Sequence, residues 1–254
     1  MGDQPRNSVK SVERTFRIIG GLQELDGAGV TELANHLGLP KSTAHNYLST
    51  LENQAYVVKE DDQYRVGLRF LEHGAFARNQ SPIFEVARPE LDRLASETGE
   101  LVNLLVEEHG KGIYLYRTRG DNAVRVKEHI GTRVSLHSTA LGKAVLAHYP
   151  ERRVDEILDR HGMPATTERT ITDRGDLDEV LQAVRDRGVA FDDEERLSGL
   201  RCVAAPVLTN DGAVLGAISI SGPSHRFDDE RFRDELPQRI LETANVLELN
   251  VTYS

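Results

Sequence analysis

Apolar residues recur at helical spacing through most of the first hundred positions, and from Leu101 the period changes to that of strands. Val12, Phe16, Ile19 and Leu22 mark an amphipathic helix near the start. From Val30 to Glu52 the pattern predicts a helix, a tight turn and a second helix. Thr31 caps the first of these, with Leu33, Ala34 and Leu37 on its inner face. Gly38 supplies the turn, Pro40 suits the first turn of the next helix, and Ala44, Tyr47, Leu48 and Leu51 form that helix's inward stripe. The outward set is Lys41, Ser42, Thr43, His45, Asn46 and Ser49, side chains able to bond phosphates and base edges. Two short strand signals follow, residues 55–60 and 63–67, joined by the polar turn Glu60-Asp61-Asp62. Together they predict a winged helix-turn-helix unit over residues 8–67, with Lys59 and Arg65 on the wing. A small helical interaction module without nucleic acid is the plainer alternative.

Residues 68–81 read as a linker helix ending at the turn-like Asn79-Gln80-Ser81-Pro82, and a second unit spans 82–254. Phe84, Val86, Leu91 and Leu94 support a helix from Pro82 to Thr98. Strands are expected over 101–107, 113–118 and 123–129, then over 189–192, 202–208 and 213–221, the last two joined by Thr209-Asn210-Asp211-Gly212. Helices are expected from Thr139 through Leu146, over 154–161, 176–187 and 228–249. The sum is an α+β domain on a mostly antiparallel sheet.

Composition narrows the chemistry. No apolar run is long enough to span a membrane and residues 1–7 lack the apolar segment of a signal peptide, which predicts a cytoplasmic protein. The single Cys202 has no internal disulfide partner. The formal net charge of −10 opposes DNA binding at first sight, but Lys41, Lys59, Arg65 and Arg69 sit around the candidate recognition helix, and the acidic pairs at 192–193, 194–195 and 228–229 lie far downstream. Acidic excess with lysine confined to positions 10, 41, 59, 111, 127 and 143 suggests salt adaptation, as in a halophile. A GC-rich genome biased toward Arg and Asp is the alternative.

The motifs Ser11-Val-Glu-Arg, Leu39-Pro-Lys-Ser-Thr-Ala-His-Asn-Tyr-Leu, Tyr64-Arg-Val-Gly, Ser135-Leu-His-Ser-Thr-Ala-Leu-Gly-Lys-Ala, Gly188-Val-Ala-Phe-Asp-Asp-Glu-Glu, Gly199-Leu-Arg-Cys-Val-Ala-Ala-Pro-Val and Ile218-Ser-Ile-Ser-Gly-Pro occur in order along the chain. In this it resembles the IclR family of transcriptional regulators, from about Ser8 to about Val251. The resemblance implies a winged-helix domain that binds a double-stranded DNA operator, followed by a GAF-like effector-binding domain. It also implies a homodimer or homotetramer, and control of operons for carbon-source or aromatic catabolism. Carried onto this sequence, the effector contacts are Ala140, Leu141, Asp192, Cys202, Ser219 and Ser221. Asn46 stands where relatives often carry Arg, and Asn pairs better with adenine than with guanine.

The loop 131–143 leads into a helix whose first N–H groups suit an anion, although spacing alone favours an ordinary helix start capped by Thr139 and only the family resemblance reverses that preference. Ser219 and Ser221, two apart on a strand, share a face. Asp192, if ionised, would repel a carboxylate, so it is expected to accept a ligand hydroxyl or a backbone N–H. These features describe a compact polar pocket for a hydroxylated small metabolite, such as a sugar acid or organic acid, with no cofactor. Cys202, His137 and Asp192 also fit a cysteine nucleophile with base and orienter, but an apolar strand follows Cys202 and no helix N-terminus activates its thiol. His129, His137 and His148 lack zinc spacing, and no metal site is expected.

Overall fold

The computed structural model describes residues 8–253, and the chain divides into two compact units, Met1–Gln80 and Ser81–Ser254. In the first, α1 (Lys10–Glu24), α2 (Val30–Leu37) and α3 (Lys41–Asn53) precede the hairpin of β1 (Val57–Glu60) and β2 (Gln63–Val66), and α4 (Arg69–Asn79) follows. Gly38 ends α2 at φ 64°, in the left-handed region that glycine enters without penalty. Its N–H reaches Asn35 O while that of Leu39 reaches Ala34 O, which closes the helix end and sets the angle of α3. The core is Ile18, Leu22, Leu33, Leu48, Leu51, Val57 and Tyr64. Tyr64 also pairs with Ala28, so β2 is tied to the segment before α2.

Two expectations fail here. Thr31 does not cap α2, because the helix already begins at Val30 behind an extended Gly29. Val12 and Phe16 do not face inward: they are 50% and 64% exposed, and α1 buries Ile18, Gly21 and Leu22 instead. A Cβ on Gly21 would lie 2.9 Å from Leu33 Cδ1, so the close seating of α1 on α2 selects that face.

The second unit runs α5 (Pro82–Thr98), β3 (Leu101–Glu108), β4 (Lys111–Arg119), β5 (Arg133–Val134), α6 (Ala140–Leu146), α7 (Glu151–His161), α8 (Arg174–Arg187), β6 (Ala190–Asp193), β7 (Leu200–Leu208) and β8 (Val214–Pro223). A π-helical turn at Arg231–Glu235 then leads into α9 (Leu236–Tyr253). The sheet order is β5-β4-β3-β8-β7-β6, antiparallel at every pairing. Alternate residues serve opposite faces. Val102, Leu104, Val203, Val207, Ile218 and Ile220 pack under α5 and α9. Leu105, Cys202, Ala204 and Ala217 face α6, α7 and α8.

The strand expected over 123–129 does not form, and β5 takes the place beside β4. Within that stretch the Glu128 carbonyl accepts from the Arg117 side chain in place of a ladder partner. Among the described residues no helix is long and apolar enough to cross a membrane.

Candidate functional site

In the first unit the outer face of α3 presents Lys41, Ser42, His45 and Asn46 exposed, with Thr43 and Ser49 partly so, while Ala44, Leu48 and Leu51 anchor the helix from behind. Lys59 and Arg65 are exposed on the wing. Lys59, however, is paired with Asp62 at 2.8 Å, which raises its pKa and neutralises part of the charge there.

In the second unit a narrow cavity opens on the sheet face toward α6. Its lining includes all six positions named above, Ala140, Leu141, Asp192, Cys202, Ser219 and Ser221. The pairing register brings them together. Asp192 lies opposite Cys202, Cys202 opposite Ser221, and Ser221 opposite Leu101. The neighbouring row runs from Ser219 to Asn103 to Arg117. Thr139 caps α6 by accepting from Gly142 N at 2.9 Å, which fixes the backbone of Ala140 and Leu141 at the cavity wall.

Polar groups missed from the sequence complete the site. Asn103 Nδ2 donates to Ser219 Oγ at 3.1 Å and to Ser221 Oγ at 3.3 Å, and Arg117 Nε donates to Asn103 Oδ1 at 2.8 Å. Burial lowers the pKa of Arg117, and its guanidinium lies over the Tyr114 ring, 4.8 Å from the centroid. Glu128 and Arg196 also line the cavity. Only the alternation of polar Asn103 and Arg117 with apolar strand neighbours hints at them in the sequence.

Asp192 Oδ1 accepts from the backbone N–H of Glu195 at 2.8 Å and of Arg196 at 3.2 Å, so it spends its acceptor on the loop that follows β6. Burial pushes its pKa up to about 7. Lys143 and the two N–H donors oppose that rise and Glu195 adds to it. Its proton therefore comes off near neutrality, which weakens the repulsion expected toward an anion.

The nucleophile arrangement does not form. Burial pushes the Cys202 thiol well above its ordinary pKa, and His137 Nε2 lies 3.3 Å from Pro164 O, outside the cavity lining. Burial also lowers the pKa of His137. His129 and His148 contact the carbonyls of Ile130 and Ala144. Among the described residues no cluster of His, Cys, Asp or Glu is arranged to hold a metal.

Comparison with known proteins agrees with both halves. Residues 11–61 match the IclR helix-turn-helix domain, and residues 75–248 match the bacterial transcriptional regulator IclR C-terminal domain. The chain is 32% identical to the "Probable HTH-type transcriptional regulator ArcR" of Halobacterium salinarum, over 98% of this chain and 95% of that one. It is likewise 32% identical to the acetate operon repressor of Salmonella typhimurium, over 95% and 89%. The crystal structure of the Thermotoga maritima IclR superposes with a TM-score of 0.81 at 29% identity, covering 96% of this chain and 99% of that one. A winged helix with an open polar face, a sheet-backed polar cavity and a family match along both units lead to one assignment: the chain belongs to the IclR family and is a DNA-binding transcriptional regulator.

Proposed function

We propose that this regulator responds to a small hydroxylated metabolite of a carbon-source catabolic operon, bound in the cavity of the second unit. The convergence of Ala140, Leu141, Asp192, Cys202, Ser219 and Ser221 on that one cavity carries the reading. In it, residues 8–67 bind DNA, 68–81 connect, and 82–254 sense the effector. Lys41, Ser42, Thr43, His45, Asn46 and Ser49 contact the operator from the major groove, and Lys59 and Arg65 grip the adjacent backbone. The acetate operon repressor among the relatives supports a carbon-source role.

The regulator acts as a homodimer on a pseudo-palindromic site. Val9, Val12 and Phe16 form an exposed apolar stripe at i, i+3 and i+7 along α1, and Leu68, Leu71 and Phe76 are exposed on or beside α4. Such clusters on a soluble unit mark surfaces that another chain covers.

Footprinting of the chain's own promoter and neighbouring operon tests the DNA half. Calorimetry with a panel of sugar acids and organic acids tests the sensing half. Ser219→Ala with Ser221→Ala should abolish the ligand response and leave operator binding intact. A double variant that responds with unchanged affinity would place the effector elsewhere.

A further inference from the structure

Two guanidiniums in the cavity lining converge on one residue, Glu128. Arg117, on β4, donates through Nη1 to the Glu128 carbonyl. Arg196, in the loop after β6, holds Nη2 at 3.9 Å from Glu128 Oε1, beyond hydrogen-bond reach. Its Nε is buried without a hydrogen-bond partner. Leaving a charged donor buried and unpaired is costly, and neither arginine makes the two-pronged carboxylate contact its planar fork favours. The water-accessible space inside the cavity is only about 20 Å³, room for little more than a water molecule. A metabolite must therefore displace a lining group. Val126 and Glu128 line the cavity from a segment without ladder bonds, and of the two Glu128 carries the charge, its carboxylate held by a single long ion pair.

We propose that the effector carries a carboxylate that takes the place of the Glu128 side chain on Arg196 and is clamped between Arg196 and Arg117, with its hydroxyls toward Asn103, Ser219 and Ser221. The inference rests on the reading of this cavity as the effector site. Glu128 acts as a built-in competitor: its carboxylate faces Arg196 when no ligand is bound and moves aside when one is. Asp192 opposes the incoming anion less than an ordinary carboxylate does, because burial pushes its pKa up to about 7 and it is protonated below that. Arg117 links the clamp to the serines through Asn103, so one ordered chain reads both ends of a hydroxy acid.

Calorimetry on the full chain tests this with three acids and their uncharged counterparts: L-lactate against L-lactamide, D-glycerate against glycerol, and D-gluconate against D-glucitol. At least one acid should bind about tenfold or more tighter than its counterpart, a difference that Arg117→Met and Arg196→Met each remove. Glu128→Gln, a change at a part-exposed position, should tighten the acid several-fold and leave the neutral compound unchanged. Equal binding of acid and counterpart overturns the clamp, as does weaker acid binding in Glu128→Gln or the absence of binding by all three acids. If the serine double variant loses both compounds and the arginine variants lose neither, the clamp fails and the cavity stands. If neither set alters the affinity, the effector site itself is misplaced.

Discussion

The ammonium of Lys143 on α6 meets the carboxylate of Glu195 in the loop after β6, and both side chains are withdrawn from water, at 1% and 10% exposure. The Glu195 carbonyl accepts in addition from the hydroxyls of Thr166, Thr167 and Thr170. The loop is thereby pinned at Glu195, while Asp192 and Arg196 on either side of it face the cavity.

Lys143→Met should destabilise the second unit by about 3–5 kcal/mol, because it strands the Glu195 charge in the interior. Adding Glu195→Leu should restore most of that loss. Urea unfolding followed by circular dichroism measures both, and a double variant no more stable than the single one would mean that the pair's attraction is not what the lysine contributes.

Asp192 predicts how stability varies with pH. In the unfolded chain its carboxyl ionises near 3.8, and in the folded protein near 7. Between those values the folded state keeps a proton that the unfolded state has released, so this group makes the protein less stable as pH rises from about 4 to about 7 and no further above that. Asp192→Asn keeps the acceptor and removes the ionisation. It should melt higher than the parent at about pH 8, by an amount on the order of 4 kcal/mol for roughly three pH units, with the gap closing toward about pH 4.5. A gap that does not change with pH would exclude this carboxyl as the cause.

Gly142→Ala should disturb the sensing unit. The added Cβ would stand 2.1 Å from Leu136 O and 2.4 Å from Leu136 Cα, so α6 and the loop ahead of it must separate. A loss of about 1–3 kcal/mol is expected, with a weakened ligand response. Gly74→Ala, with nothing within 4 Å on α4, should be neutral or stabilising by about 0.5–1 kcal/mol and serves as the control. Equal melting of the two variants would contradict the close approach.

On DNA, Asn46→Ala should relax the base preference at one operator position by about 1–3 kcal/mol, while Lys41→Ala should weaken specific and random duplexes alike and reduce the salt slope by about one. Lys59→Ala should cost less than Lys41→Ala, because Lys59 is already engaged by Asp62. Fluorescence anisotropy at several salt concentrations separates the three. Losses that are the same for every variant on every duplex would mean that α3 does not divide its labour in this way.

Local chemistry was legible in the sequence. Gly38 and Thr139 act on their own helix ends, and both do in the fold what their residue types dictate. Asn103 and Arg117 were not, because they enter the site through pairings that span 116 and 14 residues, and only the register decides them. Val124 and Val126 alternate as a strand would, yet no ladder forms there, and the Glu128 carbonyl is taken by the Arg117 guanidinium. Val12 and Phe16 mislead for a different reason: helical spacing marks a stripe without saying whether it meets the chain's own core.

The two cross-strand rows that build the cavity have an evolutionary consequence. Asp192, Cys202, Ser221, Asn103 and Arg117 each come from a different strand or strand position, and their immediate neighbours, such as Val102, Val203 and Ile220, point into the opposite layer. Exchanging one of these side chains for another of similar size leaves every ladder bond in place, so ligand preference is free to drift by single substitutions without rebuilding the scaffold. Insertions are another matter. One extra residue in β8 ahead of Ile218 would turn Ile218 and Ile220 toward the cavity and the serines toward α5 and α9, erasing the sensor and opening the core in a single step.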